Sequence, residues 1–217
     1  VITPTYKTPT PWLEQCIRSV QAQSVGPVMH VLINDGDPDF CLPNCFAGKF
    51  IQTERHYGDF GDTPRWIGVQ WAIKWGADAI AFLDADDEWL PNFLEVSVHH
   101  LNQHPDCALC VTGQYRGENR SDWNQVLSNL GLTSGYWQLP LELPLEQYKP
   151  NIDVLHSGAI VCDRTIVNQV GGFYAKHRCT YGEDIYLWLQ VILNYPIYRD
   201  FRPLMWYHTE ASDLAVW

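Results

Sequence analysis

The sequence predicts an α/β domain with a mostly parallel central sheet flanked by helices, and three observations carry that prediction. Short β-branched, apolar runs alternate with stretches whose apolar residues recur at helical spacing, the pattern of consecutive βαβ units. The 217 residues suit one domain, and a chain of that size buries roughly 70% of its unfolded surface in a single core. Hydrophobic residues at 46% exclude a chain disordered by composition.

Val1-Ile2 reads as the tail of a strand that starts upstream of Val1. Thr10-Pro11 supplies an N-cap and a first helical position, and Leu13, Cys16, Ile17 and Val20 follow at helical spacing. Val28 to Ile33 is a buried strand closed by the turn signal Asn34-Asp35-Gly36. Pro64 opens a second helix with Ile67, Trp71 and Trp75 on one stripe, and Gly76 ends it. Ala79 to Leu83 is another buried strand, running straight into Asp84-Ala85-Asp86-Asp87. Pro91 starts a third helix ending near His104-Pro105, and Ala108 to Thr112 forms a fourth strand.

Residues 114–155 hold Gly, Asn, Ser, Pro and aromatics without clear periodicity and read as an irregular subregion; a stretch that long is usually functional or mobile. Beyond it, Gly158 to Cys162 is a strand, Arg164 to Val170 a short helix stopped by Gly171-Gly172, and Asp184 to Leu193 a helix. Ile197 to Asp200 and Leu204 to Tyr207 read as two closing strands. The division expected is into residues 1–113 and 114–217 of one domain.

The net charge of -11 sets the chain against nucleic acid and anionic lipid, and favours a site that recruits a cation. Seven scattered cysteines do not form a disulfide framework and fit a reducing, cytoplasmic compartment. No apolar run reaches the roughly 18 residues of a membrane span, which leaves peripheral association at the inner membrane face open.

Phe82-Leu83-Asp84-Ala85-Asp86-Asp87 carries the most chemistry. An apolar strand empties into three carboxylates, and in open α/β sheets ligands bind beyond the carboxyl ends of strands. Packed anions repel unless a cation neutralises them, and a hard divalent ion takes one or two carboxylates plus substrate phosphates. Position and density favour that reading over an acidic turn that caps the next helix. Asp35, at a second strand end, either contacts a nucleotide or forms an Asx turn. Glu183-Asp184 either stabilises a helix start or provides a general base. His208 follows a strand and is either structural or a ligand. Cys107 and Cys110 have zinc-site spacing, but Cys110 lies within an apolar run. Trp123, Tyr136 and Trp137 either stack on a sugar ring or pin the irregular stretch down.

These pieces resemble family-2 glycosyltransferases in order. The stretches concerned are Ile2-Thr3-Pro4-Thr5-Tyr6, the helix from Leu13 to Gln23, Val31-Leu32-Ile33-Asn34-Asp35-Gly36, Pro64-Arg65-Trp66-Ile67-Gly68, and Phe82 to Pro91. Gly171-Gly172-Phe173 and Glu183 to Leu189 complete the match. The resemblance implies a GT-A fold, Rossmann-like in its central sheet, a nucleotide-diphospho-sugar donor with UDP the commonest nucleotide, and inversion at the anomeric carbon. It implies that Thr5, Tyr6 and Asp35 hold base and ribose, that Arg65 lies near base or diphosphate, and that Asp84 approaches the ribose. Ala85, Gly158 and Glu183 join the donor site, and the resemblance makes 1–113 the nucleotide-sugar-binding half and 114–217 the acceptor-binding half. Asp86, with Asp87 and His208, would bind Mn²⁺ or Mg²⁺, and Asp184 would be the general base. The acceptor implied is a hydroxyl on a glycan, a lipid-linked glycan or a protein. Asn34, Trp66 and Gly36-Asp37-Pro38-Asp39 depart from the family pattern and bear on donor choice more than on fold. Two further readings are a related nucleotidyltransferase, for which the first strand lacks a Gly-rich phosphate loop, and a non-catalytic nucleotide-sugar-binding domain, against which the intact acid set argues.

Overall fold

The computed structural model describes residues 1–173 and 183–212. The first half alternates as expected: β1 (Ile2–Thr5), α1 (Thr10–Gln21), β2 (Val31–Asn34), β3 (Lys49–Gln52), α2 (Asp62–Trp75), β4 (Ala79–Ala81), β5 (Glu88–Trp89) and α3 (Phe93–Gln103). Then come β6 (Leu109–Arg116), β7 (Ser121–Asp122), α4 (Trp123–Asn129), β8 (Gly135–Trp137) and α5 (Leu145–Asp153). A 3-10 turn (Ser157–Ala159), β9 (Ile160–Asp163), α6 (Ile166–Gln169), α7 (Glu183–Asn194), β10 (Ile197–Tyr207) and α8 (Thr209–Ser212) follow.

β1, β2 and β3 pair in parallel. Phe82, just past β4, bridges Ile2 in parallel, and the Leu83 amide donates to the Ile2 carbonyl at 3.1 Å. That contact joins the three strands to the order β4-β9-β6-β10-β5. β9 runs antiparallel to both β4 and β6, and β6 runs parallel to β10. The directions therefore agree for β3, β2, β1, β4, β6 and β10, with β9 reversed among them. The core is continuous across this sheet, from Ile2, Ile33 and Val69 to Phe82, Leu109, Ile160 and Met205, all buried.

Several elements differ from the sequence expectation. Thr10 is the first residue of α1 and Pro9 is its cap, with no side-chain hydrogen bond there. The stripe Ile67, Trp71, Trp75 is not the buried face of α2: Trp75 is 50% exposed, and Pro64, Arg65, Gly68, Val69 and Ala72 are buried instead. Small residues let α2 sit close to the sheet, and a Cβ at Gly68 would meet Ile2 Cγ2 at 2.6 Å. The two closing strands are one, β10, with register shifts either side of Pro203, which has no N–H to give the ladder. Residues 114–155 are not irregular throughout, since they form β7, α4, β8 and α5. α5 even carries Pro150 inside it. Gly172, at φ 77°, lies against the Trp66 ring, where a Cβ would come within 2.6 Å. Trp66 therefore packs the α2 start onto the turn after α6.

Candidate active site

The topology sends the chemistry to one edge. β1, β2, β4 and β10 share a direction, so Tyr6, Asp35, Asp84 and His208, each just past a strand, all lie beyond the carboxyl end of the sheet. β9 runs the other way, so His156 and Ser157, which precede it, arrive at the same edge.

Asp84 to Asp87 form a tight turn in which the Asp87 amide donates to the Asp84 carbonyl at 3.1 Å. Arg65, buried in the first turn of α2, donates from Nη2 to Asp84 Oδ1 at 2.5 Å and from Nη1 to the Phe60 carbonyl at 2.8 Å. Burial alone would raise the Asp84 pKa, but the charges of Arg65 and His156 outweigh it and hold the carboxyl below its usual value. Asp86 is half-buried, and burial together with the Asp84 charge raises its pKa to about 6. Asp87 is 1% exposed, and burial with the charges of Asp86 and Asp84 pushes its pKa well up. Its Oδ1 accepts the His208 backbone N–H at 2.9 Å, whereas its Oδ2 is buried with no hydrogen-bond partner. Ala85 turns the other way, packing against Leu13, Ile17 and Leu32.

One ligand atom each from Asp84, Asp87 and His156 lies within 4.8 Å of the others, the one such group among the described residues. An unsatisfied buried carboxylate oxygen beside two more ligating atoms is a donor set that suits a divalent cation. His156 was not foreseen from the sequence. It is a lone histidine just after the stretch read as irregular, with no spacing motif to mark it. Burial holds its pKa below the usual imidazole range, although the charges of Asp84 and Asp184 pull the other way. Its Nδ1 accepts the Gly158 N–H at 3.1 Å.

Asp184, the second residue of α7, accepts the Ser157 hydroxyl at Oδ2, 2.8 Å. Glu183 begins that helix, and its side chain lies outside the described residues, as do Gly182 and Cys179. Gly158 is buried under Met205, whose Cε lies 2.5 Å from where a Cβ would stand, and its carbonyl accepts the Trp89 indole N–H at 2.7 Å. It serves that packing directly.

His208 sits beside the acidic turn through its backbone, but its ring faces elsewhere. Nδ1 meets Glu210 Oε1 at 2.9 Å and Nε2 meets Glu88 Oε1 at 3.4 Å, with the ring between Trp12 and Trp206. Burial opposes its protonation, but the two glutamates outweigh it and raise its pKa.

Asp35 is fully buried and already engaged. The Tyr57 amide donates to Oδ1 at 3.1 Å and to Oδ2 at 3.3 Å, and His56 Nδ1 lies 2.9 Å from Oδ2. The His56 ring stacks on Tyr6 with centroids 3.7 Å apart. The Thr5 hydroxyl donates to Thr8 Oγ1 at 3.0 Å. This corner is an aromatic platform with a saturated carboxylate beneath it. Of the aromatics in 114–155, Trp123 lies under the Arg116 guanidinium at 3.8 Å and Trp137 under Arg199 at 3.7 Å. One face of each indole is thus taken by a cation, and Tyr136 is left half exposed.

Residues 70–171, just under half of the chain, match the profile of glycosyl transferase family 2. The matched stretch contains the acidic turn, His156 and Ser157. No curated protein sequence matches the chain. Among solved structures, the chain is similar to S. aureus TarS 1–349 in complex with UDP, at TM-score 0.75 and 16% identity over 96% of this chain and 59% of that one. It is similar to TarS 1–349 in complex with UDP-GlcNAc at TM-score 0.73 and 17% identity, over 99% and 60%. The chain thus spans about three fifths of the TarS fragment it matches. At such identity the likeness establishes the fold, which is GT-A, as the resemblance implied. Profile and fold together support a glycosyltransferase.

Proposed function

We propose that the chain transfers a sugar from a UDP-sugar to a hydroxyl acceptor with inversion, and that its donor site is the Asp84–Asp87 turn with Arg65 and His156. The observations that carry this reading are the gathering of Asp84, Asp87 and His156, with one ligand atom each within 4.8 Å, and a buried Asp87 oxygen that has no partner. The similar TarS structures, which hold UDP and UDP-GlcNAc, support the choice of nucleotide.

In this reading Asp84, Asp87 and His156 would hold Mn²⁺ or Mg²⁺, the His156 lone pair being given up by the Gly158 N–H, with Asp86 in the same turn. The ion would supply positive charge to the diphosphate leaving group. Arg65, fixed by Asp84 and the Phe60 carbonyl, adds a preorganised cation at the same edge. His208 sets the Asp87 carboxylate through its backbone N–H, and its ring belongs to the Glu88–Glu210 pair. The Tyr6–His56 stack offers a flat face for the base. Asp184 takes the proton from the acceptor hydroxyl as that oxygen bonds to the anomeric carbon and the nucleoside diphosphate departs from the other face. One displacement of this kind inverts the centre. The acceptor is a glycan, lipid-linked or protein hydroxyl met by the half 114–217. No described helix is long and apolar enough to cross a membrane.

Calorimetry of UDP binding with Mn²⁺ and with EDTA tests the site. Wild type should bind UDP only with the metal, and Asp87→Asn should weaken that binding by about 100-fold, the scale of losing a metal contact. Equal binding in EDTA, or full affinity in Asp87→Asn, would remove the acidic turn from the donor site.

A further inference from the structure

We infer that Ser157, clamped by Trp188, is a positioning residue that fixes the proton-accepting oxygen of Asp184; this rests on the proposed role of Asp184 as base. Asp184 and Trp188 are four residues apart on α7 and so share one face of the helix. Ser157, in the turn before β9, reaches that face and bridges the two. The Trp188 indole N–H donates to Ser157 Oγ at 2.9 Å. Ser157 Oγ stands 2.8 Å from Asp184 Oδ2.

The direction of this relay is forced by chemistry. An indole N–H only donates, so Ser157 must accept from Trp188 with a lone pair. Its single hydrogen then goes to Asp184. Solvent does not compete for these hydrogen bonds, because Ser157 is 1% exposed and Trp188 is fully buried. Trp188 is itself wedged, with its ring 5.9 Å from Phe82 and 6.5 Å from Phe173. Phe82 lies two residues before Asp84, so one buried indole holds both the strand that delivers the acidic turn and the acid on α7. The relay occupies Oδ2 and leaves Oδ1 as the oxygen that meets the acceptor proton. A carboxylate at the start of a helix has rotational freedom that this clamp removes, and misplacing a reacting group by about 1 Å can cost about 100-fold in rate.

The test measures UDP released from UDP-GlcNAc with Mn²⁺, water serving as acceptor, alongside UDP affinity by calorimetry. Ser157→Ala should lower kcat about 10- to 100-fold, with KM and UDP affinity unchanged. Ser157→Thr, which keeps the hydroxyl, should recover most of the rate. Trp188→Phe should lower kcat by a smaller factor with the same KM. Full kcat in Ser157→Ala overturns the proposal. So does a UDP affinity that falls in step with kcat, or a Ser157→Thr protein that melts like wild type yet stays as slow as Ser157→Ala. A wild type that binds UDP but releases none from UDP-GlcNAc, UDP-glucose or UDP-galactose overturns the transferase reading itself, and the positioning role falls with it.

Discussion

Asp35 and Asp87 both stand just beyond an apolar strand at one edge of the same sheet, and both are removed from solvent. Their oxygens are spent differently. Both oxygens of Asp35 accept from the Tyr57 amide, and His56 closes on one of them. Asp87 has one oxygen on a backbone N–H and one bare, with Asp84 and Asp86 raising its pKa from the same turn. A strand-end carboxylate is therefore not a ligand site by position. On the proposed reading it becomes one when the fold leaves an oxygen unsatisfied and crowds like charges around it. Asp35 repays its burial within the protein, and Asp87, on the proposed reading, repays it with a bound cation.

The largest effect that would sharpen this contrast is electrostatic. The pKa of Asp86 is about 6 in the folded chain against a usual 3.8. Between those values the folded state holds the proton more tightly than the unfolded state, so metal-free stability falls as pH rises through that window. One such group contributes about 1.4 kcal/mol per pH unit. Asp86→Asn has no proton to lose, so urea unfolding in EDTA should show the variant gaining on wild type from pH 4 to pH 6 and levelling above. Mn²⁺ should erase most of that gain. A difference independent of pH would mean that the turn is not the repulsive cluster described.

Asp35→Asn should act in the opposite sense. Its amide nitrogen would face donors where an acceptor stood, and a hydrogen bond to a charged group contributes about 1.5–3 kcal/mol. Denaturant unfolding should show a loss of about 2 kcal/mol, while UDP binding should keep its dependence on Mn²⁺. If Asp35→Asn kept full stability but lost UDP affinity, Asp35 would be a nucleotide contact after all and the contrast would collapse.

The difference between these two aspartates was not legible in the sequence, and the reason is physical. Apolar runs are local, so β1, α1, β2, α2, β4, α3 and β6 could be read, as could the place of Asp84 to Asp87 beyond the end of an apolar strand. The partners of Asp35 come from residues 53–57, a loop following β3. That strand, Lys49–Gln52, is short and open to solvent at both ends, so it gave no pattern. His156 lacked a signal for a similar reason. Its meaning comes from a turn placed by β9, whose antiparallel entry between β4 and β6 is a long-range choice. The helices α4 and α5 stayed hidden because few of their residues are buried, and α5 is held instead by Asn151 Oδ1, which accepts from the buried Arg199 at 2.6 Å. A pairing across 48 residues leaves no mark in local composition.

The smallest effect probes how far the shell of Asp35 extends. Thr53 Oγ1 lies 3.5 Å from Asp35 Oδ1, 3.2 Å from the Asn34 carbonyl and 2.8 Å from the Arg55 carbonyl. A hydroxyl has one hydrogen, and the shortest contact claims it. Thr53 therefore serves the loop that delivers Tyr57 and His56, and only brushes the carboxylate. Thr53→Val keeps the shape and removes the donor, so it should cost about 1 kcal/mol, the net worth of a neutral hydrogen bond. In a double-mutant cycle with Asp35→Asn the two losses should nearly add, because no strong bond joins the pair. A coupling energy well above about 0.5 kcal/mol would place the threonine proton on Asp35, and the saturated shell would then have a third essential donor.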